Sequence, residues 1–362
     1  MGARASFGFL CALLSFAPPE PRRPALLRTI ETGRLSAPWL VRLASDHQVA
    51  PAVRGALRRL ALEAALPAEL VDYFDGMETL NRQRNAALRA EALAVARLLA
   101  GIGVEPVFLK GTADLLTGDR DPAERFQIDL DLLVPADQLA ACARHLQEQG
   151  YLPQLHTRSP LAHHAAPLWR PGGPAWIELH HVPLAYPGTV LLPAGELLAR
   201  ARRLGVDGVA VRVPATQDRL VHAIAHAGVT DLGMAYGRAE LRLLQDLGHL
   251  GRVAGDADWT AVRGRLARHG RGGLLDAYLI AARDLLAAPL PAPAAASRRA
   301  RLLAARACRQ GGHPRLAAAQ ERLLRPPLLL GRALSHPALR RQLLLNLVDP
   351  GWLARHFRRL AG

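Results

Sequence analysis

Two aspartates stand two positions apart within an apolar segment that is typical of a β-strand. Asp129 and Asp131 alternate with apolar residues in the segment 128–134, IDLDLLV. Because residues i and i+2 of a strand project from the same face, both carboxylates are expected to lie side by side. Buried charges are costly and adjacent carboxylates repel each other, so a cation is expected between them. Hard oxygen ligands of this kind suit Mg2+, and the segment therefore predicts a magnesium site.

The chain contains a single lysine, Lys110, although lysine and arginine together number 46. Lys110 follows the apolar segment 104–109 and precedes Gly111. An ammonium group is a compact point charge, whereas a guanidinium group is a planar fork. The retained lysine therefore indicates a position close to a phosphate or a carboxylate. Chance retention of one lysine is the alternative.

Strand-like and helical patterns alternate around these residues. Residues 104–109 and 128–134 predict two strands, joined by a short helical pattern and by a polar loop that contains Arg125. Further along, the pattern predicts a helix over 135–150 and short strands over 151–155, 165–170 and 175–179. These elements predict an α/β unit that positions the aspartate pair.

The last of these strands carries a third carboxylate. Glu178 and His180 stand two positions apart and therefore share one face of the strand. If this strand lies beside the aspartate pair, Glu178 completes a three-carboxylate metal site. His180 would then support a carboxylate without binding the metal, because Mg2+ prefers oxygen ligands. A solvent-facing position, or an ion pair with one of the many arginines, is the alternative for Glu178.

The remainder of the chain is predicted to be helical, which gives an α+β fold class. A small mixed β-sheet is expected between an N-terminal and a C-terminal helical region. After a Pro/Ala-rich linker, an arginine- and leucine-rich tail predicts a helical extension, a partner-binding element or a membrane-surface segment. The predicted divisions are an N-terminal helical region (1–103), an α/β core (104–190), a C-terminal helical domain (191–290), and the linker with its tail (291–362).

A second set of polar residues falls on one face of a predicted helix. Asp218, His222 and His226 are spaced i, i+4 and i+8, which could bring two histidines to zinc. No further ligand is evident in the sequence. A polar helix face beside the cleft, or ordinary helix packing, is therefore favoured over a zinc site.

Composition sets limits on partners and on compartment. The 362 residues carry a net charge of +15, which suits polyanionic partners such as nucleotides or RNA, although an arginine-rich composition alone can produce the same excess. Three widely separated cysteines form neither a metal-ligand spacing nor a disulfide framework, which favours a reducing cytoplasm. The apolar N-terminus imitates a signal peptide but continues into an amphipathic pattern, so a folded helix is expected there. No apolar run is long enough for a membrane span.

Four features in one order resemble a known superfamily. They are Leu109-Lys110-Gly111, then Arg125, then DLD at 129–131, then IELH at 177–180. Together they resemble the nucleotidyltransferase superfamily with the DNA polymerase β-like fold, and more narrowly its bacterial branch of uncharacterised nucleotidyltransferases. The resemblance is strong over residues 104–181 and weak over the first three quarters of the chain. This chain departs from the superfamily in two ways. The superfamily usually has Gly-Ser where this chain has Gly111-Thr112, and its gap between the glycine and the first aspartate is usually shorter than the gap from Gly111 to Asp129. Both departures match the narrower branch.

The resemblance implies metal-binding and catalytic roles for three carboxylates. Asp129 and Asp131 would bridge metal ions, and Glu178 would bind the metal near the acceptor or act as its base. His180 would support these residues. Mg2+ is the implied cofactor.

The resemblance also implies a nucleotide-binding set. Gly111 and Thr112 would offer donors to phosphate oxygens. Lys110 and Arg125 would offset the charge of the β- and γ-phosphates.

These features together predict an enzyme. It would transfer NMP from an NTP, most simply ATP, to a hydroxyl, amine or phosphate on a small molecule or peptide. One alternative is toxin-like addition of nucleotides to tRNA, which only the arginine excess supports. The other is a non-catalytic scaffold in a biosynthetic assembly, with the terminal helices as its interface.

Overall fold

The computed structural model describes residues 2–154, 163–293, 296–335 and 337–351, and all structural statements refer to them. The fold is α+β, with a mixed sheet of seven strands flanked by N-terminal and C-terminal helices. The strands are β1 (Val107–Phe108), β2 (Asp129–Leu133), β3 (Leu152–Pro153), β4 (Leu168–Trp169), β5 (Trp176–His180), β6 (Arg202–Val206) and β7 (Val209–Val213).

Five helices precede the sheet. Prolines lie in the first turns of the second, third and fourth helices, where a missing amide hydrogen breaks no helical bond. The five are α1 (Gly2–Leu13), α2 (Pro19–Glu31), α3 (Ala37–Asp46), α4 (Ala50–Arg59) and α5 (Ala68–Ala100).

Three helices lie between the strands, and the remaining described helices follow the sheet. The first three are α6 (Lys110–Thr117), α7 (Leu139–Glu148) and α8 (Ala194–Arg200). The others are α9 (Thr216–Ala225), α10 (Gly233–Tyr236), α11 (Leu241–Val253), α12 (Asp256–Arg268), α13 (Gly272–Leu286), α14 (Arg298–Gln310), α15 (Pro314–Ser335) and α16 (Pro337–Leu347). A π-helical turn, His226–Thr230, extends α9. In the described part of the chain, none of these helices combines the length and the apolar character that crossing a membrane requires.

The strand order is β3-β4-β5-β2-β1-β7-β6. Strand β2 pairs with β5 in parallel and with β1 in antiparallel orientation. The predicted strands at 104–109, 128–134 and 165–170 are present in shorter form, and the one predicted at 175–179 is present one residue further on, as β5. The centre of the sheet is β2, and every one of its residues after Asp129 is buried.

A β-hairpin lies where the sequence analysis predicted helices alone. Strands β6 and β7 fall within residues 191–290, and β7 pairs in parallel with β1. Asp207 and Gly208 connect them with φ values of 48° and 72°. Two successive positive φ values give a tight turn that matches the twist of a hairpin, and Asp-Gly is a favoured sequence for it. The helical expectation for this segment is wrong at the hairpin, and the sheet extends past residue 190; the four-part division of the chain stays a prediction.

Two buried apolar clusters hold the fold together. One joins α1–α4 to the C-terminal helices and includes Phe7, Leu244 and Tyr278. The other lies between the sheet and its covering helices. Helix α5 contributes Phe74 to the first cluster and Leu88 to the second, so this long helix connects both. The sheet is thereby fixed against the helices that face its functional residues.

Candidate active site

Strands β2 and β5 bring three of the predicted site residues together. Asp131 lies directly opposite Glu178 in the register, and His180 follows two positions further along β5. One ligand atom from each residue lies within 4.8 Å of the others. The Nε2 atom of His180 is 2.9 Å from Oδ1 of Asp131 and 3.4 Å from Oε2 of Glu178. These three residues are called the carboxylate–histidine group below.

Lys110 lies beside this group at the start of α6. Its Nζ atom donates a hydrogen bond of 2.7 Å to Oδ1 of Asp131, and its side chain is 26% exposed. The φ angle of Lys110 is 49°, a left-handed conformation that costs a non-glycine residue roughly 1–2 kcal/mol. Such strain persists only where surrounding contacts hold a residue, and it is common at functional sites. The single lysine of the chain is thus held against a buried carboxylate.

Burial and internal contacts set the charges of the carboxylate–histidine group. Burial alone would raise the pKa of Asp131, but Lys110 and His180 outweigh it and hold that pKa well below its usual range. Burial lowers the pKa values of His180 and Lys110, yet their contacts with Asp131 raise both above ordinary values. The hydrogen bond from His180 lowers the pKa of Glu178. At neutral pH both carboxylates are therefore ionised, and the Lys110 ammonium lies beside Asp131.

Asp129 lies at the edge of this arrangement. It begins β2, two positions before Asp131, and lines the adjoining cavity. Burial and the charge of Asp131 raise the pKa of Asp129. Among the described residues, the third ligand atom that lies close to those of Asp131 and Glu178 belongs to His180 and not to Asp129. The predicted aspartate pair is present, but its two members have different surroundings.

A cavity of about 310 Å³ adjoins the carboxylate–histidine group. Its lining includes Lys110, Asp129 and Asp131 from β2 and the start of α6, and residues of helices α9 and α11. The two helices contribute His222 and Arg242 to this lining. Arg242 was not among the predicted site residues. Its only signal in the sequence is a basic residue at the second position of the mostly apolar segment LRLLQDLGHL.

A second charged cluster, the arginine–aspartate network, lies at another wall of the same cavity. Arg125 contacts both Asp114 and Asp246 at 3.0 Å. Arg120 contacts the same aspartates at 2.6 and 2.5 Å. Three arginines therefore meet three aspartates, and the formal charges balance. The members of the network are Arg120, Arg125, Arg219, Asp114, Asp119 and Asp246.

Arg125 was predicted to bind phosphate, and its contacts differ from that expectation. Its side chain is 8% exposed, and both aspartates that it contacts lie in the network. Its backbone oxygen accepts hydrogen bonds of 2.9 and 2.8 Å from Asn81 and Asn85 of α5. These contacts fix the loop before β2. The Arg125 guanidinium already has carboxylate partners, so its phosphate-binding role stays a prediction that the geometry does not favour.

Gly111 and Thr112 were predicted to face the nucleotide, and they occupy different positions. Gly111 lines the cavity. A Cβ atom there would overlap the Arg125 guanidinium and the side-chain amide of Gln127, which explains the glycine by internal packing. Thr112 is 1% exposed, and its hydroxyl has no hydrogen-bond partner in the described part of the chain. Thr112 is not among the residues that line the cavity, so its predicted contact with phosphate stays a prediction.

Several histidines surround the carboxylate–histidine group. The rings of His163 and His164 lie 5.0 and 5.3 Å from the ring of His180, centre to centre. Burial and the neighbouring His180 lower the pKa of His163 to about 3, so this imidazole is neutral near pH 7. Burial and the charge of Lys110 lower the pKa of His222 well below its usual range. Two neutral imidazoles thus lie near the group.

Asp218, His222 and His226, which are spaced i, i+4 and i+8, do not come together in one site. Asp218 is fully buried and pairs with Arg200 at 2.9 and 3.0 Å. His226 instead pairs with Asp231, with 3.0 Å between Nδ1 and Oδ2, at the ends of the π-helical turn. The ion pair with Arg200 accounts for the buried Asp218. His226 and Asp231, in contrast, line the cavity.

The donor set of the carboxylate–histidine group fits a divalent metal ion. Ligand atoms about 2.1 Å from one ion at right angles to each other stand roughly 3 Å apart. The separations of 2.9 and 3.4 Å around His180 Nε2 agree with this spacing. Two carboxylates with one imidazole suit Mn2+ or Zn2+ as well as Mg2+. The group can therefore bind a metal ion, and its donors do not single out magnesium.

Comparison with known proteins gives one match. A family model described as an uncharacterised nucleotidyltransferase matches residues 35–287. No curated protein and no solved structure matches the chain. The matched range includes all of the sheet and the cavity-lining helices α9 and α11.

Proposed function

This chain belongs to the family of uncharacterised nucleotidyltransferases, and we propose from that premise that its cavity transfers a nucleoside monophosphate from an NTP to an acceptor. ATP is the simplest donor, and the acceptor is a hydroxyl, amine or phosphate on a small molecule or peptide. The observation that carries the proposal is the carboxylate–histidine group at the cavity. Its two carboxylates and the neighbouring Asp129 lie on the strands that the resemblance assigns to metal binding.

The proposed reaction is a single displacement at phosphorus. The acceptor atom forms a bond to the α-phosphorus, the bond from the α-phosphorus to its β-bridging oxygen breaks, and pyrophosphate leaves. When the acceptor is a hydroxyl or amine, Glu178 receives its proton. This step needs positioning and charge neutralisation more than covalent chemistry from the protein.

Residues of the chain divide this work. Asp131, Glu178 and Asp129 would hold a divalent metal ion, taken here as Mg2+, with His180 beside them. When bound, the ion supplies charge stabilisation at the reacting phosphate and orients the acceptor. Lys110 would neutralise phosphate charge from the sheet side of the cavity, and the Gly111 backbone lies at the same wall.

The acceptor side has fewer supporting features. The excess of arginine over acidic residues is compatible with tRNA as an acceptor, but the cavity itself contains no separate indication of RNA among its described residues. A small acceptor that enters the cavity is therefore the simpler proposal. A cytoplasmic location in a bacterial cell agrees with an NTP-dependent reaction and stays part of the proposal.

Labelled nucleotides test the proposal directly. Purified protein is incubated with a divalent metal ion, each NTP labelled at the α-phosphate, and cell extract as a source of acceptors. We expect transfer by the wild type and none by the Asp129→Asn/Asp131→Asn double variant. The matched control is Asp137→Asn, because Asp137 is an exposed aspartate outside the cavity. If the wild type neither transfers label nor binds an NTP with metal present, the enzyme proposal is wrong and a scaffold role takes its place.

A further inference from the structure

We propose that Arg242 of α11, which lines the cavity, binds the phosphate tail of the NTP. This inference rests on the proposed function and adds a phosphate-binding residue that the motifs of residues 104–181 do not contain. Its basis is a cation in the cavity wall that lacks a counter-ion of its own.

The three arginines that line the cavity differ in their partners. Arg125 and Arg219 belong to the arginine–aspartate network, and each contacts two of its aspartates. Arg242 forms no ion pair with any residue that the structure describes, and its Nε atom is buried without a hydrogen-bond partner. A guanidinium group that is partly buried without a carboxylate is costly unless an anion or water satisfies it. Arg242 is thus the cavity arginine that is available to a ligand.

The charged groups around Arg242 also favour an anionic ligand. Burial and the nearby charge of Arg125 lower the pKa of Arg242, and Asp246, Glu240 and Asp129 offset this only in part. Burial is the largest of these effects, so the nearby carboxylates do not fully offset the cost of burying this guanidinium. A bound phosphate would add negative charge beside it.

The backbone holds Arg242 in a fixed position. Leu241 and Leu244 are fully buried on the opposite face of the first turn of α11. The amide nitrogen of Arg242 donates a hydrogen bond of 3.3 Å to the backbone oxygen of His47. Helix α11 cannot rotate without exposing the two leucines, so the Arg242 side chain stays at the cavity wall.

Phosphate is the anion that this arrangement fits best. Lys110 lines the same cavity, so two cations of different geometry contribute to its lining. A guanidinium group binds two phosphate oxygens at once, whereas an ammonium group acts as a point charge. A triphosphate presents several oxygens in a row, which suits a cavity lined by both kinds of cation. A metal ion at the neighbouring carboxylates would add to the attraction.

Calorimetry with full-length variants tests this assignment. Wild type, Arg242→Gln, Arg242→Lys and the control Arg271→Gln are titrated with ATP, AMP and inorganic tripolyphosphate in the presence of Mg2+. Arg271 is exposed and lies outside the cavity. We expect Arg242→Gln to weaken ATP and tripolyphosphate binding by at least about tenfold, which is the loss of about one charge-assisted hydrogen bond. AMP binding should not change, Arg242→Lys should be intermediate, and Arg271→Gln should equal the wild type.

The outcomes separate this inference from the proposed function. Unchanged ATP affinity in a folded Arg242→Gln variant would overturn the role of Arg242 and leave the transferase proposal standing. If tripolyphosphate binds in a way that depends on Arg242 but ATP does not bind, the result would support an anion site and would contradict a nucleotide as its ligand. A wild type that binds neither ligand would overturn the inference. If Arg242→Gln does not fold, the comparison rests on Arg242→Lys, for which equal affinity for ATP would contradict a two-oxygen contact.

Discussion

Two buried charge clusters share one cavity, and their composition differs. The arginine–aspartate network has three cations for three anions, and each member contacts a member of opposite charge. The carboxylate–histidine group, together with Asp129, has three carboxylates, and the Lys110 ammonium and the His180 imidazole lie beside them. The first cluster is saturated, whereas the second has carboxylate charge left for a further cation.

The difference also appears in the pKa values of the carboxylates. In the network, the arginines hold the pKa values of Asp114 and Asp246 below the usual range despite burial. Beside the carboxylate–histidine group, the pKa of Asp129 is raised instead, by burial and by the charge of Asp131. A balanced cluster stabilises the fold, and an unbalanced one attracts a ligand. We therefore assign the network to structure and the carboxylate–histidine group to chemistry.

The largest expected effect comes from opening the network. Replacing Asp246 by Ala leaves Arg120 and Arg125 with Asp114 as their remaining contact in the network. Removing one partner from buried ion pairs typically costs about 3–5 kcal/mol. Urea unfolding of Asp246→Ala should show a loss of this size.

Asp119→Ala is the comparison for this experiment, because Asp119 is 23% exposed and Arg219 also contacts Asp114. Its loss should be clearly smaller. Equal losses in both variants would mean that the network does not act as one buried unit.

The second effect concerns activity rather than stability. Glu178→Gln keeps the shape of the side chain and removes its charge and its capacity to accept a proton. Loss of a positioned base typically lowers a rate by about 10²–10⁴-fold. We expect nucleotide transfer to fall by at least about a hundredfold while the free energy of unfolding changes little, because Glu178 is partly exposed. Retained activity would remove Glu178 from the proposed chemistry.

The third effect concerns Gly111, which follows Lys110 in the chain and packs against Arg125 of the network. The Cβ atom of Gly111→Ala would overlap side chains of Arg125 and Gln127. Overpacking of this kind typically costs about 1–3 kcal/mol. Thermal or urea unfolding should show this loss, and the exposed Gly195, where a Cβ would meet nothing within 4 Å, is the control position for the same substitution.

The smallest effect is a dependence on acid. The pKa values of Asp114 and Asp246 are lowered in the fold, from about 3.9 in an unfolded chain. Their stabilising contribution is therefore complete above that value and is lost as the pH falls through the folded pKa. The difference in unfolding free energy between wild type and Asp246→Asn should be constant from pH 7 to about pH 5 and should shrink below about pH 4. A difference that changes between pH 5 and 7 would contradict this assignment.

The sequence predicted the placement of the carboxylates on the strands better than the packing around them. The alternation in IDLDLLV placed Asp129 and Asp131 on one face, and IELH placed Glu178 two positions before His180. The parallel pairing of β2 with β5 confirms that these strands meet. This success follows from strand geometry, because a period of two fixes which side chains share a face. The family and the α+β fold were predicted as well.

Long-range ion pairs could not be predicted in the same way. Arg125 stands close to the aspartate pair in sequence, but its partner Asp246 lies 121 positions further on. A single sequence does not reveal which of many arginines meets which aspartate. The β6–β7 hairpin is a different case, because the Asp207-Gly208 turn was a readable signal that the predicted helical pattern obscured.

The most direct test of the comparison is one transfer assay on three proteins. Wild type, Asp131→Asn and Asp246→Asn are incubated with α-labelled NTP, a divalent metal ion and the acceptor source, and label transfer is divided by the concentration of folded protein. We expect Asp131→Asn to lose transfer and Asp246→Asn, although less stable, to retain it. Loss in Asp246→Asn with retention in Asp131→Asn would contradict the assignment of chemistry to the carboxylate–histidine group.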